Sequence, residues 1–140
     1  MRTALISLFA CGLLFAQAPV TPAPKAPATS LFINLTTDEP HRANMGIGFG
    51  SNQLKRGHGL TIFLNDRAVV LGSTKHTTRF PGHQKQLAEL LTQGATVYCC
   101  PMCMKHYKVD ATELLPGIRV SNPELTGAAL FQEGARTLSW

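Results

Sequence analysis

Apolar and polar residues fall along this chain in short blocks whose period switches between that of a strand and that of a helix. Positions 31–36, 60–64 and 95–99 are runs rich in β-branched and large apolar residues and read as strands; 117–121 reads as a fourth and 137–140 as a closing one. Between them, 38–55 predicts a helix with Asp38 and Glu39 at its positive end and Gly57 beyond its C-terminus. Positions 82–93 predict an amphipathic helix with Leu87, Leu90 and Leu91 on one face and Gly94 as its stop, and 123–131 a last helix. Ala68 to Leu71 form a short apolar run behind an Asn-Asp turn. Strands separated by helical segments of about 10–15 residues predict βαβ units. The expected fold is therefore α/β, with a parallel sheet and helices on both of its faces.

One helix carries an internal conflict. Gly46, Gly48 and Gly50 lie in its middle, and each costs about 1 kcal/mol against Ala there. Met-Gly-Ile-Gly-Phe-Gly matches neither the dinucleotide fingerprint nor the Walker loop, so close packing of helix on sheet is the preferred explanation.

The first 30 residues do not share the pattern. Met1-Arg2, the uncharged apolar run 4–15 and Ala16-Gln17-Ala18 have the layout of a secretory signal peptide, placed at 1–18, and the apolar run is too short to span a bilayer comfortably. Pro19 is a poor residue after a cut at Ala18, so Ala16 is the other cleavage point. Leu8-Phe9-Ala10-Cys11 loosely resembles a lipoprotein box, but the apolar region ahead of Cys11 falls short of the usual ~7–15 residues. Residues 19–30 are Pro-, Ala- and Thr-rich with Lys25 as their one charge, a linker composition, and the folded domain is expected over 31–140. The expected location is periplasmic or extracellular.

Composition narrows the classes. About 110 residues suffice for one core without disulfides. Losing Arg2 with the leader lowers the formal charge from +5 to +4, and the Lys and Arg residues are scattered without interleaved aromatics, so no nucleic-acid partner is expected. There is no Ser-His-Asp order, nucleotide loop or cofactor motif, and the eight acidic residues are too dispersed to pair.

Chemistry concentrates in 95–109, Ala-Thr-Val-Tyr-Cys-Cys-Pro-Met-Cys-Met-Lys-His-Tyr-Lys-Val. Three of the four cysteines and two of the four methionines lie there. Pro101 suits the first turn of a helix, which puts Cys100 at the N-cap and Cys103 one turn in. Unpaired N–H groups at that end favour a thiolate, and Lys105 and His106 add positive charge. Cys99, one residue earlier on the strand, points to the opposite face and reads as a buried small apolar residue. In parallel sheets reactive groups gather beyond the C-terminal strand ends, which is where this junction falls.

The strand Thr61-Ile62-Phe63-Leu64-Asn65 with Ala68-Val69-Val70-Leu71, the segment Leu90-Leu91-Thr92-Gln93-Gly94-Ala95 leading into Val97-Tyr98-Cys99-Cys100, and the closing helix and strand resemble the DsrE/DsrF/TusD family of small sulfur-relay proteins. The resemblance covers 31–140. It implies a three-layer α/β/α fold with a five-stranded, mostly parallel sheet, a tendency to form homo-oligomers, and a cysteine after a central strand that carries sulfur as a persulfide, here Cys100. Its partners would be a sulfur donor or acceptor protein, or a small sulfur compound. The family's best-known members are cytoplasmic, and Cys-Pro-Met-Cys-Met with His106 is richer than a single carrier cysteine.

Three readings of the cluster stand side by side. In one, Cys100 is a nucleophile and Cys103 its resolving partner, in sulfurtransferase or thiol–disulfide oxidoreductase chemistry. In another, Cys100, Cys103 and His106, helped by Met102 or Met104, hold a soft ion such as Cu(I); zinc fits less well, because no second C-x-x-C exists to complete four ligands. In the third, the cysteines are structural and the domain is non-catalytic. His41 and His83, at neighbouring helix starts, are the histidines that could approach the site; His58 and His76 read as solvated.

Overall fold

The computed structural model describes residues 29–140; the leader and residues 19–28 of the linker lie outside the described residues. The first strand, β1 (Ser30–Leu35), takes in Ser30, one residue ahead of the expected start. It is followed by α1 (Pro40–Lys55), β2 (Gly59–Leu64), a 3-10 segment (Asp66–Gly72), α2 (Pro81–Thr92), β3 (Thr96–Cys99), α3 (Pro101–Tyr107), β4 (Arg119–Val120), α4 (Pro123–Leu130) and β5 (Arg136–Ser139). The five strands form one sheet in the order β4-β3-β2-β1-β5, and every pairing is parallel. The architecture is the three-layer α/β/α arrangement expected.

Each of the four α-helices opens on a proline in its first turn, where the missing N–H costs nothing and φ is already helical. That rule corrects the first helix. Asp38 lies outside α1 and Glu39 is its N-cap, accepting from the backbone N–H of His41 (3.0 Å) and Arg42 (2.7 Å); those two bonds hold the Glu39 carboxyl below its ordinary range. Asp38 is buried and instead ion-pairs with Arg67 (2.8 Å) and Arg79 (2.9 Å). The run 68–71 belongs to the 3-10 segment, and β4 is shorter than expected, since the chain enters it from a turn with Gly117 at φ 92°.

The core lies on one face of the sheet. Ile33 and Leu35 of β1, Ile62 and Leu64 of β2, and Val97 and Cys99 of β3 are all fully buried. Register sets Ile33 beside Ile62 and Ile62 beside Val97, so their side chains share that face. Ile47 of α1, Leu87 and Leu90 of α2, and Val69 and Leu71 of the 3-10 segment complete it. The glycine stripe explains how α1 comes so close: a Cβ on Gly46 would lie 3.2 Å from Leu35 Cδ1, and one on Gly50 2.9 Å from Ile33 Cδ1, whereas one on Gly48 would meet nothing within 4 Å. Phe32 and Phe63, on the other face, border a groove of about 380 Å³ shared with Thr126 and Leu130 of α4.

Candidate functional site

The C-terminal end of β3 runs without a break into α3, so three thiols at successive depths fall at one sheet edge. Cys99 ends the strand with no exposure, its thiol 4.0 Å from the Val69 carbonyl; burial first, then the neighbouring Cys100 and Cys103, push its pKa up from 9.0 to about 12. Such a group stays a thiol at neutral pH. Cys100 is the N-cap of α3, as its spacing from Pro101 predicts. Its N–H donates to the Leu64 carbonyl at 3.0 Å, extending the ladder, and its carbonyl accepts from Met104 N–H at 2.9 Å. The Cys100 side chain is packed into the core cluster at 8% exposure, with no capping hydrogen bond. Cys99, Cys100 and Cys103 are all free thiols.

Cys103, one turn into α3, is half-buried and has the polar neighbours that Cys100 lacks. Its Sγ–H donates to Asn65 Oδ1 at 3.0 Å, and the Asp66 backbone N–H points at its Sγ at 3.2 Å while also donating to Asn65 Oδ1 at 2.9 Å. Burial and then the adjacent Cys100 thiol raise the Cys103 pKa, against the lowering effect of the Asp66 N–H. Asn65 is oriented in turn: its Nδ2 donates to Asn34 Oδ1 at 3.2 Å, and its backbone N–H to the Leu35 carbonyl at 2.8 Å. Asp66 sits at φ 46°, in the left-handed region that Asp tolerates better than most residues, and Tyr107 Oη donates to its Oδ1 at 2.5 Å. That bond raises the tyrosine's pKa, since the carboxylate favours the phenol over the phenolate.

Asn65 and Asp66 were not candidates from sequence, and Tyr107 reads there as surface as readily as functional. Asn65-Asp66 was visible only as a turn, and its contacts with α3 bridge 37 to 41 residues. Tyr107 carried one local signal, its i+4 spacing from Cys103, which sets both on one helix face. The other candidates disperse. Met104 is buried in the core, Met102 is 79% exposed, and Lys105 and His106 are exposed, with the His106 ring T-shaped against Tyr107 at 4.7 Å. His83 Nε2 lies 2.8 Å from the Pro40 carbonyl, and His41 is exposed. Among the described residues no three or more His, Cys, Asp or Glu side chains are grouped to hold a metal ion.

The family model described as DsrE/DsrF-like matches residues 30–140. The chain belongs to the DsrE/DsrF-like family. Membership associates it with sulfur relay. Among solved structures it is similar to MTH1491, a protein of unknown function from Methanobacterium thermoautotrophicum, at 16% identity and TM-score 0.63, covering 80% of this chain and 99% of that one. It is similar to the ychN protein from E. coli at 16% identity and TM-score 0.62, again over 80% and 99%. A third likeness is to BT1422, a conserved protein of unknown function from Bacteroides thetaiotaomicron, at 26% identity and TM-score 0.61 over 79% and 94%. The first two identities carry the fold alone. No curated protein matches the sequence. Among the described residues no helix is long and apolar enough to cross a membrane.

Proposed function

We propose that this protein accepts sulfane sulfur on the Cys100–Cys103 pair as a persulfide and passes it to an acceptor thiol, and that its leader carries it out of the cytoplasm to do so. The observation that carries the reading is the pairing of two free thiols one helical turn apart, one sunk in the core and the other half-exposed with a backbone N–H aimed at its sulfur. A thiol in that position can be attacked from outside, and its neighbour is already held where it can take over the sulfur or close a disulfide, without waiting for an external thiol. Export supports the same reading, since it would bring the thiols to a compartment where disulfide and sulfur chemistry proceed.

The test is incubation of the reduced protein with inorganic polysulfide, followed by intact-mass measurement without reductant. A gain of one sulfur atom that dithiothreitol reverses is the expected result, and the double variant Cys100→Ser, Cys103→Ser should show none. A wild-type protein that gains no sulfur under conditions where a small dithiol does would remove the proposal. Fractionation of cells expressing the full chain tests the export half: retention of the uncleaved protein in the cytoplasm would remove it.

A further inference from the structure

We infer that Cys103, and not Cys100, is the thiol that incoming sulfur meets first, and that the Asn65-Asp66 turn clamped by Tyr107 is the device that positions it, with the sulfur then handed inward to Cys100. This rests on the sulfur-transfer reading and adds an order and three positioning residues to it. Position in sequence favours the reverse order, because Cys100 is the N-cap. The geometry opposes that: Cys100 is 8% exposed among apolar neighbours, whereas Cys103 is half-buried and open to an approaching polysulfide.

The polar groups around Cys103 suit both steps of a transfer. In the resting thiol the Sγ–H is held by Asn65 Oδ1, which fixes the side chain. Once the proton has left for solvent, the Asp66 N–H is the donor aimed at the sulfur. The Cys103 thiolate attacks a sulfur of a polysulfide chain; a new S–S bond forms to Sγ, an S–S bond of the donor breaks, and the shortened polysulfide leaves with the electron pair. Cys100 then attacks the outer sulfur of the Cys103 persulfide. The bond between that sulfur and Cys103 Sγ breaks, the sulfur stays on Cys100, and Cys103 departs as a thiolate toward the Asp66 N–H, regaining the proton that Cys100 gives up. Sulfane sulfur is exchanged without net oxidation, so no further oxidant is needed.

The turn must hold its shape for this to work. Asp66 holds its N–H on the sulfur from a left-handed backbone conformation, and the Tyr107 hydroxyl on Asp66 Oδ1 ties that residue to the same helix that carries Cys103. Asn34 does the same for the Asn65 carboxamide. The titratable groups facing Cys103 are Cys100 at the start of its own helix, Asp66 from the 3-10 segment and Tyr107 one turn on.

The deciding experiment is quench-flow loading of the full protein with inorganic polysulfide, followed by alkylation and peptide mapping. In the wild type the extra sulfur should appear on Cys103 before Cys100. In Cys103→Ser, loading of Cys100 should fall roughly tenfold or more, since the held relay partner is gone. In Cys100→Ser the sulfur should remain on Cys103. Sulfur on Cys100 first, or Cys100 loading at wild-type rate in Cys103→Ser, would overturn the order and leave the transfer function standing; no sulfur on either thiol would overturn both. The positioning role is read separately from the pH profile of Cys103 alkylation. Asn65→Asp puts a negative group where the thiolate must form, and should move the midpoint upward by about one pH unit. Tyr107→Phe should slow loading of Cys103 without changing the thermal melt. Unchanged profile and rate in both variants would overturn the positioning role.

Discussion

Gly48 and Gly50, two positions apart in α1, give opposite expectations on substitution. Replacing Gly48 with Ala adds a Cβ that meets nothing within 4 Å, so only the helix-propensity gain remains. That gain is about 0.8–1 kcal/mol, enough to raise the melting temperature of a domain this size by roughly 4 °C. Replacing Gly50 brings the same gain but places the Cβ 2.9 Å from Ile33 Cδ1 and 3.1 and 3.2 Å from the two Leu60 methyls. Carbon contacts are optimal at about 3.5–4.0 Å, and Ile33 and Leu60 are buried in the sheet with little room to yield. Overpacking of this kind costs typically about 1–3 kcal/mol. After the propensity gain the net effect is a loss of up to about 2 kcal/mol, so the two variants should differ by about 1–3 kcal/mol. Urea titration at constant m-value measures this. Ile33→Val, which removes the nearest methyl, should make Gly50→Ala less harmful than in the wild-type background, a favourable coupling in a double-mutant cycle. If both glycine variants stabilise, or if the cycle shows no coupling, α1 is not seated on the sheet as described.

Three further outcomes are expected. Cys99 should resist iodoacetamide in the native protein and react only after denaturation. Because folding raises its pKa from 9.0 to about 12, its contribution to stability is complete below the unfolded value and is lost as pH climbs through that interval; Cys99→Ala should flatten the alkaline limb of the stability curve, and an unchanged limb would count against it. Glu113 lies buried with Lys75 Nζ at 2.7 Å and Ser73 Oγ at 3.0 Å, and the lysine holds its carboxyl below the ordinary 4.5. That stability is present above the ordinary value and fades as pH falls through the depressed one, so Lys75→Met should move the acid-unfolding midpoint upward, less so at high salt because the lysine is exposed; the circular dichroism acid titration would refute this by showing no shift. For Cu(I), competition against a chelator should give an affinity no better than that of an unstructured dithiol peptide, because His106 and Met102 face solvent and Met104 the core; markedly tighter binding would show that the donors rearrange.

The three central strands were legible because they are dense apolar runs bounded by turn residues, which is what the middle of a parallel sheet asks for. Helix starts were legible to within two or three residues. Two acidic residues suggest a first helix starting at Asp38, whereas Pro40 fixes the first turn and releases Asp38 to bind Arg67 and Arg79, partners 29 and 41 positions away. The Gly46–Gly50 spacing carried the close approach of α1 in the sequence itself, but not that Gly48 would be idle.

The site divides along the same line. Cys100, Pro101 and Cys103 disclosed the strand-to-helix junction because its geometry is settled within four residues. Depth is a different kind of property. Whether a thiol at a strand end meets solvent depends on what packs over it, and here α3 lies against the 3-10 segment that follows another strand, some 35 residues earlier in the chain. That packing takes Cys100, the residue that local rules mark as activated, into the core. It also supplies Cys103, which those rules mark as secondary, with an acceptor from Asn65 and a donor from Asp66. A helix of seven residues has little macrodipole to offer, so the neighbouring segment, rather than the helix end, sets the electrostatics of the half-buried Cys103 thiol. Substitutions at Asn65 should therefore alter Cys103 reactivity more than changes to the exposed cations Lys105 and His106, whose charges act through solvent; alkylation rates for Asn65→Asp, Lys105→Ala and His106→Ala compare the two directly, and a larger effect from the cations would return the control of the site to α3.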